Sequence, residues 1–453
     1  MTDDRRQRLA VSPPVALTVA GSDSGGGAGV QADLKTMEAH GVFGTSVLTA
    51  VTAQNTLGVE GTHVLPPEQV RAQYRAVVDD LDVGAIKTGM LATSEVIETV
   101  VDLFADYDGP VVIDPVMVAA SGDRLLSEDA EAAYDDLIAD ATLVTPNADE
   151  AEVLTGRALD GPEDARAAGE DLVDLGADAA LMKGGHLGGD VVVDTLVTPD
   201  GVERFEHPRV DTEATHGSGD TLASAIAARL ASGEALPDAV GAGTSFMERA
   251  VRYGLDVGEG PGAVHHHVGL REEAARHPTM EAVEDLVAAF VERDVRPLVP
   301  EVGMNVAGAT PYAERVGEVA AVEGRVARTM EGVAATRGVR MGASSHIARF
   351  LLSARERDPS LRFAANVRFD ETVEAALPDA DLGGPAVTFD RTDEPADVAG
   401  TMDWSARVAF EAAGGTPAAV YDHGAVGKEP MVRLLAPDAA TLRERTFAIL
   451  DAL

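Results

Sequence analysis

Through the first part of the chain, short apolar runs alternate with longer stretches whose apolar residues fall at helical spacing. VALTVAG (15–21), VGAIKTG (83–89), PVVIDPVMV (110–118), ATLVTPN (141–147) and AALMKGG (179–185) are nearly continuous in apolar residues and end in glycine, proline or asparagine. Runs of that length and bounding predict buried strands. Between them, PEQVRAQYRAVVDDL (67–81) and GPEDARAAGEDLVDLG (161–176) repeat apolar positions every three or four residues, which predicts amphipathic helices. Strand and helix in alternation predict an α/β fold with a mostly parallel sheet and helices on both faces. Ligands of such sheets gather outside the carboxyl ends of the strands. The pattern breaks at GEGPGAVHHHVGLREEAARHP (258–278), before the helix-like run MEAVEDLVAAFVER opens a second, smaller α/β unit. A first domain at 1–267, a linker at 268–279 and a second domain at 280–453 are expected.

Charge narrows the partners. Acids outnumber bases 76 to 36, giving a net charge of −40 on 453 residues. A surface of that sign repels nucleic-acid phosphates and anionic membranes, so neither partner is expected. The acid is spread along the chain, −30 on residues 1–270 and −10 on 271–453, which predicts the strongly hydrated surface of a halophilic protein. The exception is 315–368, with ten arginines against five acids, a candidate anion site. The absence of cysteine excludes disulfides and thiol catalysis. No run approaches the length of a membrane span and the first residues lack a signal peptide's apolar region, so a cytoplasmic location is expected. Only four lysines occur, Lys35, Lys87, Lys183 and Lys428, each in a glycine-bearing motif. A compact, flexible ammonium in such a context suits phosphate contact.

Three motifs carry candidate chemistry. AGSDSGGGAGVQADLKT (20–36) reads as a strand, a glycine-rich turn and a helix whose first N–H groups are free. It is no dinucleotide fingerprint, because no acid lies between Glu38 and Glu60, and no glycine-lysine pair is followed by Ser or Thr to make a Walker A loop. In THGSGDTLASAIAARLA (215–231), Gly217 and Gly219 precede a helix with Asp220 in its first turn. The residues alone fit two readings equally: phosphoryl transfer to an alcohol with Asp220 as base, or an ordinary Asp cap. In TPNADEAEVLTG (145–156), Asn147 and Glu150 stand three apart at a helix start, with Asp114 beside them if the strands neighbour. That is either a set of oxygen ligands for a hydrated Mg²⁺ or a capping box. The triplet His265–His267 is not read as a metal site, since adjacent histidines do not easily share one ion.

In order and in register, these motifs, with TAVTAQNTLGV, KTGML, VIDPVMV and MKGGH, resemble hydroxymethylpyrimidine/phosphomethylpyrimidine kinase, a ribokinase-superfamily enzyme of thiamine biosynthesis. The resemblance covers residues 15–267. It implies a ribokinase-like three-layer α/β/α domain that uses ATP and Mg²⁺ to phosphorylate the pyrimidine's hydroxymethyl group and then its monophosphate. It implies that Gln54 and Asp33 hydrogen-bond the aminopyrimidine in a pocket formed by Gly21, Ala28 and Met90. Asn147 and Glu150 would organise Mg²⁺ and phosphates with Asp114, the ion met mainly through water. Lys183, Gly217 and Gly219 would meet ATP, and Asp220 would be the base. Many bacterial members read HGTGCT where this chain reads HGSGDT, so an aspartate replaces a cysteine at 220. Pyridoxal kinases share the fold, which leaves substrate breadth open.

The second part has a glycine-serine turn before a helix, with Ser344 and Ser345 at its start, His346 facing the turn and arginines at 325, 340 and 349 around it. Hydroxyls, N–H groups and guanidiniums converging on one point suit a phosphate or pyrophosphate. GASSHIARFLL and VEGRV resemble the archaeal-type thiamine-phosphate synthase domain, over about residues 280–453. That family joins the pyrimidine diphosphate to hydroxyethylthiazole phosphate. Arg325 and His346 match its functional positions, Arg325 for the leaving diphosphate and His346 to donate to it or orient it. Ser344, Ser345, Arg349 and Lys428 are expected to hold phosphate. A homodimer is expected. The competing reading makes the second part a non-catalytic thiamine-phosphate sensor.

Overall fold

The computed structural model describes residues 9–117, 133–390, 401–424 and 429–453. Two compact units divide the chain, Met1–Gly269 and Leu270–Leu453.

In the first unit the strands are β1 (Val15–Ala20), β2 (Phe43–Leu48), β3 (Ala50–Asn55), β4 (Gly58–Val64), β5 (Val83–Thr88), β6 (Val111–Ile113), β7 (Leu143–Val144), β8 (Ala180–Met182), β9 (Val191–Thr198) and β10 (Gly201–Pro208). The helices are α1 (Gly29–Ala39), α2 (Pro67–Val78), α3 (Ser94–Phe104), α4 (Tyr134–Ile138), α5 (Ala148–Thr155), α6 (Pro162–Leu175), α7 (Ser218–Ala231) and α8 (Leu236–Arg252). The main sheet has the order β10-β9-β8-β7-β6-β5-β1-β2. From β2 to β8 every pairing is parallel, as the alternation predicts. The antiparallel edge β9–β10 and the separate hairpin β3–β4 add to that plan.

Alternation along β1 shows how both faces are used. Leu17 and Val19 pack with Val70, Ile97 and Val100 of α2 and α3 on one face. Ala16 packs with Met37 of α1 and Ala228 of α7 on the other. Successive strand residues point to opposite faces, so Thr18 shares the α1/α7 face with Ala16. Lys87 is its register neighbour on β5. This unit is a three-layer α/β/α domain.

The second unit opens with α9 (Val268–Glu292), which begins two residues before the division. The stretch expected as a linker, 268–279, is therefore helical, and Pro278 lies inside the helix. Proline removes one intrahelical hydrogen bond. Nearby, the Thr279 hydroxyl donates to the Ala275 carbonyl (2.8 Å), and the helix buries Leu286 and Phe290. There follow β11 (Val306–Ala309), β12 (Val319–Val322), β13 (Val326–Arg328), β14 (Val333–Ala335), β15 (Val339–Met341), α10 (Ser345–Arg355), β16 (Phe363–Arg368), α11 (Glu371–Ala376), β17 (Ala386–Thr388), α12 (Thr401–Ala413), β18 (Ala419–Asp422), β19 (Met431–Ala436) and α13 (Ala439–Asp451). The sheet order is β15-β12-β11-β16-β19-β18-β17, antiparallel except for β17–β18. Val306 and Val322 pack on the side of Phe290 and Ile449, while Ala307 and Ala321 pack on that of Phe350 and Trp404. Among the described residues, no helix is long and apolar enough to cross a membrane.

Candidate active site

A cavity of about 740 Å³ opens at the carboxyl end of the parallel strands. Its rim starts where β1 ends. The glycine-rich turn folds around the loop's own carboxylate: Asp23 accepts the N–H groups of Gly25 (2.7 Å), Gly27 (2.9 Å) and Ala28 (2.8 Å). His216 Nε2 lies 3.1 Å from the same carboxylate. Burial pushes Asp23 up, but the His216 bond and the backbone donors outweigh it and hold the carboxyl below its usual range. Lys35, a candidate phosphate contact, instead caps the Gly26 carbonyl at 2.6 Å.

Of the five residues expected around the pyrimidine, four share one cavity. Gly21, Ala28, Gln54 and Met90 line the cavity. Gly21 leaves room for the Met90 thioether, which a Cβ there would strike. Gln54 comes from the β3–β4 hairpin, and its Nε2 lies 3.4 Å from His216 Nε2. Asp33 is the exception. It is fully buried below the cavity and does not line it. Its oxygens take the Thr18 hydroxyl (2.6 Å), the Ser224 hydroxyl (2.6 Å) and Lys87 Nζ (2.8 Å). A carboxylate so occupied does not reach a pyrimidine.

Asp220 sits at the cavity floor, its side chain 16% exposed, with Lys87 Nζ at 2.9 Å. Burial pushes Asp220 up, yet the Lys87 charge and hydrogen bond pull it further down, below the ordinary carboxylate range. Lys87 is itself pushed up: burial opposes its charge, but Asp220 and Asp33 outweigh burial. Ahead of α7, Gly217 has φ of 76° and packs so closely that a Cβ would run into the Gly27 carbonyl. No side chain caps α7. The Ser218 N–H donates to the Thr215 carbonyl (3.1 Å), which leaves the N–H groups of Gly219 and Asp220 available to an anion.

The opposite flank carries Lys183, whose Nζ lies 2.8 Å from Asp114 and 3.7 Å from Glu150. Asn147 and Glu150 do form the capping box at α5: Asn147 Oδ1 accepts the Glu150 N–H (2.9 Å), and Glu150 Oε2 accepts that of Asn147 (2.8 Å). All four line the cavity. Burial pushes Glu150 up to about 7 despite Lys183. Arg209 clasps the loop after Lys183, donating to the carbonyls of Gly185 (2.8 Å), Gly189 (2.7 Å) and Leu187. In the histidine triplet, His266 is buried with Nδ1 2.9 Å from the Thr221 hydroxyl. Among the described residues no group of three acids or histidines is placed to hold a metal.

Sequence reasoning missed Asp23, His216 and Lys87 as site-building residues. Asp23 and His216 stood inside quoted motifs, and Lys87 was one of the four lysines. Thr18 and Ser224 carried no signal, being hydroxyls in apolar runs.

The second unit is assembled differently. Ser344 is buried at the start of α10, with Ser345, His346 and Arg349 exposed along its first turns. Arg325 follows β12; its guanidinium donates to the adjacent Gly324 carbonyl (2.7 Å) and its backbone N–H donates to the Thr336 hydroxyl oxygen (2.9 Å). Among the described residues, no side-chain hydrogen bond or ion pair joins Arg325 to Ser344 or to the three residues of α10. Arg340 pairs with Glu323 at 3.1 Å. Arg325 and the Ser344–Arg349 group thus stand on separate elements. β12 and β15 are antiparallel, so the chain leaves them at opposite ends of the pair. Lys428 lies outside the described residues.

Comparison with known proteins agrees with this division. The family model for phosphomethylpyrimidine kinase matches residues 23–265, and that for thiamine-phosphate synthase ThiN matches residues 282–446. The hydroxymethylpyrimidine/phosphomethylpyrimidine kinase of Streptomyces coelicolor is 52% identical over 264 residues, covering 58% of this chain and 97% of that protein. The thiamine biosynthesis bifunctional protein ThiED of Geobacter sulfurreducens is 46% identical over 252 residues, covering 55% of this chain and 51% of that protein. Among solved structures, the ADP complex of Bacillus subtilis pyridoxal kinase aligns with a TM-score of 0.54 at 34% identity, covering 57% of this chain and 99% of that one. With one family model spanning more than half its length and a 52% identical relative matched almost end to end, the chain belongs to the phosphomethylpyrimidine kinase family, extended by a thiamine-phosphate synthase domain of the ThiN family.

Proposed function

We propose that the first unit phosphorylates hydroxymethylpyrimidine and then its monophosphate with ATP, and that the second couples the diphosphate to hydroxyethylthiazole phosphate, giving thiamine phosphate and pyrophosphate. The observation that carries the kinase reading is the place of Asp220. It lies between the Gln54–Met90 side of one cavity and its Asn147–Glu150–Lys183 side, beside uncapped N–H groups. Gln54, braced by His216, orients the pyrimidine with Gly21, Ala28 and Met90. Asp220 accepts the hydroxyl proton as that oxygen attacks phosphorus. The N–H groups of Gly219 and Asp220 meet the charge spreading over the transferring group, and Lys183 meets the nucleotide's phosphates.

The kinase reading brings Mg²⁺ to the nucleotide's phosphates. Asp114 and Glu150 flank the Lys183 ammonium rather than a shared void, so direct chelation by protein alone does not fit. A hydrated ion held chiefly by phosphates does fit, with Asp114 and Glu150 reaching it through water. When bound it supplies neutralisation of phosphate charge.

For the synthase, Arg325 and His346 are read as contacting different phosphate groups, because they stand on separate elements. Arg325 stabilises the leaving diphosphate, and His346 works with Ser344, Ser345 and Arg349, and with Lys428, on phosphate orientation. The test is one incubation with hydroxymethylpyrimidine, Mg-ATP and hydroxyethylthiazole phosphate, read for thiamine phosphate and pyrophosphate. Binding of thiamine phosphate with no synthesis would replace the catalytic reading by the sensor. The solved pyridoxal kinases of the same fold favour pyridoxal as a second substrate. The ratio of kcat/KM for pyridoxal and hydroxymethylpyrimidine decides that point.

A further inference from the structure

Beneath the cavity floor, side chains from four elements form a closed polar cluster in an otherwise apolar layer. Thr18 of β1 and Lys87 of β5 are register neighbours on the face covered by α1 and α7. Asp33 comes from α1, and Asp220 and Ser224 stand four apart on α7, one turn of a helix. Lys87 and Asp33 are completely shielded from solvent. One ammonium thus serves two carboxylates, Asp33 Oδ1 at 2.8 Å and Asp220 Oδ1 at 2.9 Å. Thr18 and Ser224 donate only to Asp33. A second, fully buried carboxylate is costly to keep. Both carboxylates support the charge of Lys87, so Asp33 shares with Asp220 the field of one ammonium.

We propose that Lys87 and Asp33 are a buried pair that sets the proton affinity of Asp220: Lys87 orients the carboxylate, and Asp33 takes up enough of the ammonium's field to leave Asp220 able to accept a proton. This rests on the reading of Asp220 as the kinase base. In the transfer, the substrate O–H bond breaks and its proton goes to the Asp220 carboxylate. The freed electron pair forms the new O–P bond, while the bond from the γ-phosphorus to the ADP oxygen breaks with its pair leaving on ADP. Lys87 keeps its proton throughout. Alone against Lys87 in a low-dielectric floor, Asp220 would be too stable as an anion to take that proton. With Asp33 present the cluster carries one net negative charge before the transfer and none after it. Burial pushes Asp33 up to about 6, and Lys87 draws it back, so it too competes for the ammonium. The other titratable groups bearing on the site are Asp114 and Lys183, at the ends of β6 and β8, His216, before α7, and His266, beside Thr221 of α7; the Gly29 N–H also reaches Asp220.

The test compares kinase kcat and its pH profile in the full-length wild type, Asp33→Asn, Lys87→Met and the double variant. Melting temperature and ADP binding verify that each is folded. Asp33→Asn keeps size and should lower kcat about tenfold with little change in pyrimidine KM, one unit of proton affinity being a factor of ten. Lys87→Met should move the acid limb of kcat up by about one pH unit or more. Removing Lys87 from the Asp33→Asn chain should restore rate, since the over-stabilising charge goes with it. A purely structural Asp33 predicts a double variant worse than either single, and that result overturns the proposal. So does an unmoved acid limb in a folded Lys87→Met. Should Lys87→Met fail to fold, a kcat for Asp33→Asn equal to wild type overturns it alone. Asp220→Asn separates the two readings: near-normal activity there removes the base assignment itself, whereas loss there with unmoved Asp33→Asn removes only the pair.

Discussion

The two units bury similar layered cores yet deliver their polar residues to opposite effect. In the first, β1, β5, β6, β7 and β8 are parallel, so every exit opens at one end of the sheet. Gly21, Met90, Asp114, Asn147 and Lys183 each follow such a strand within a few residues, and all line one cavity. In the second, β12 and β15 are antiparallel, and Arg325 and Ser344 follow them at opposite ends. A list of motifs therefore assembles a site by itself only when the strands run the same way. In an antiparallel sheet the same list needs register as well.

The largest predicted effects break the chain into its two activities. Asp220→Asn should lower kinase kcat by roughly 10²–10⁴-fold, the usual worth of a general base, while synthesis from supplied diphosphate stays normal. An Asn variant with over half its activity would leave Asp220 as a mere first-turn residue of α7. Next, Arg325→Ala and His346→Ala should each lower coupling by roughly 10²-fold, as loss of one charge-stabilising donor does, with kinase turnover intact. Lysine at 325 should rescue in part, keeping charge without the two-pronged geometry. Mixing either mutant with an Asp220→Asn chain should restore thiamine phosphate formation. If the Ala variants make it at normal rates from supplied diphosphate, the synthase site lies elsewhere.

What the sequence showed, and what it hid, follows the same divide. The five apolar runs and both helical stretches stand where alternation predicts, because a strand buried on two faces leaves no other pattern. The edge hairpin β9–β10 was not legible, since half-exposed residues such as Val191 and Val202 blur the signal. Asp33 was legible as important and misread in role. Its carboxylate points into the layer under α7, and only the pairing of Thr18 with Lys87 reveals that. The stretch at 268–279 is helical despite Pro278 because tertiary packing, which buries Glu272 and Thr279, outweighs local propensity there.

A smaller effect sharpens the contrast through pH. Burial, helped by the Lys35 charge and opposed by Asp220, pushes His266 down to about 4, whereas His346 is exposed. Its folded value lies below the ordinary 6.5, so the unfolded chain takes the proton first. Its contribution to stability is whole above pH 6.5 and lost as pH falls toward 4, roughly 3 kcal/mol in all. Denaturant midpoints read through kinase activity should fall over that window, and His266→Asn should flatten the fall. An unchanged slope in the variant would mean other groups carry it.

The smallest predicted effect comes from salt, and it too should divide the units. Residues 1–270 carry −30 and residues 271–453 only −10. Self-repulsion of that size opposes the compact state, and mobile ions weaken it: the screening length falls from about 10 Å at 0.1 M to about 3 Å at 1 M. Salt also weakens attractions such as Arg166 with Glu163 and Glu170, or Arg204 with Glu163. Those pairs are exposed and contribute little at any ionic strength, so relief of repulsion wins. Dilution from molar to low KCl should therefore lower the melting temperature, and kinase activity should fail before synthase activity measured with supplied diphosphate. Simultaneous failure would show that the charge difference between the units does not govern their stability. A melting temperature indifferent to KCl would remove the halophilic reading altogether, leaving the acidic surface as a matter of solubility alone.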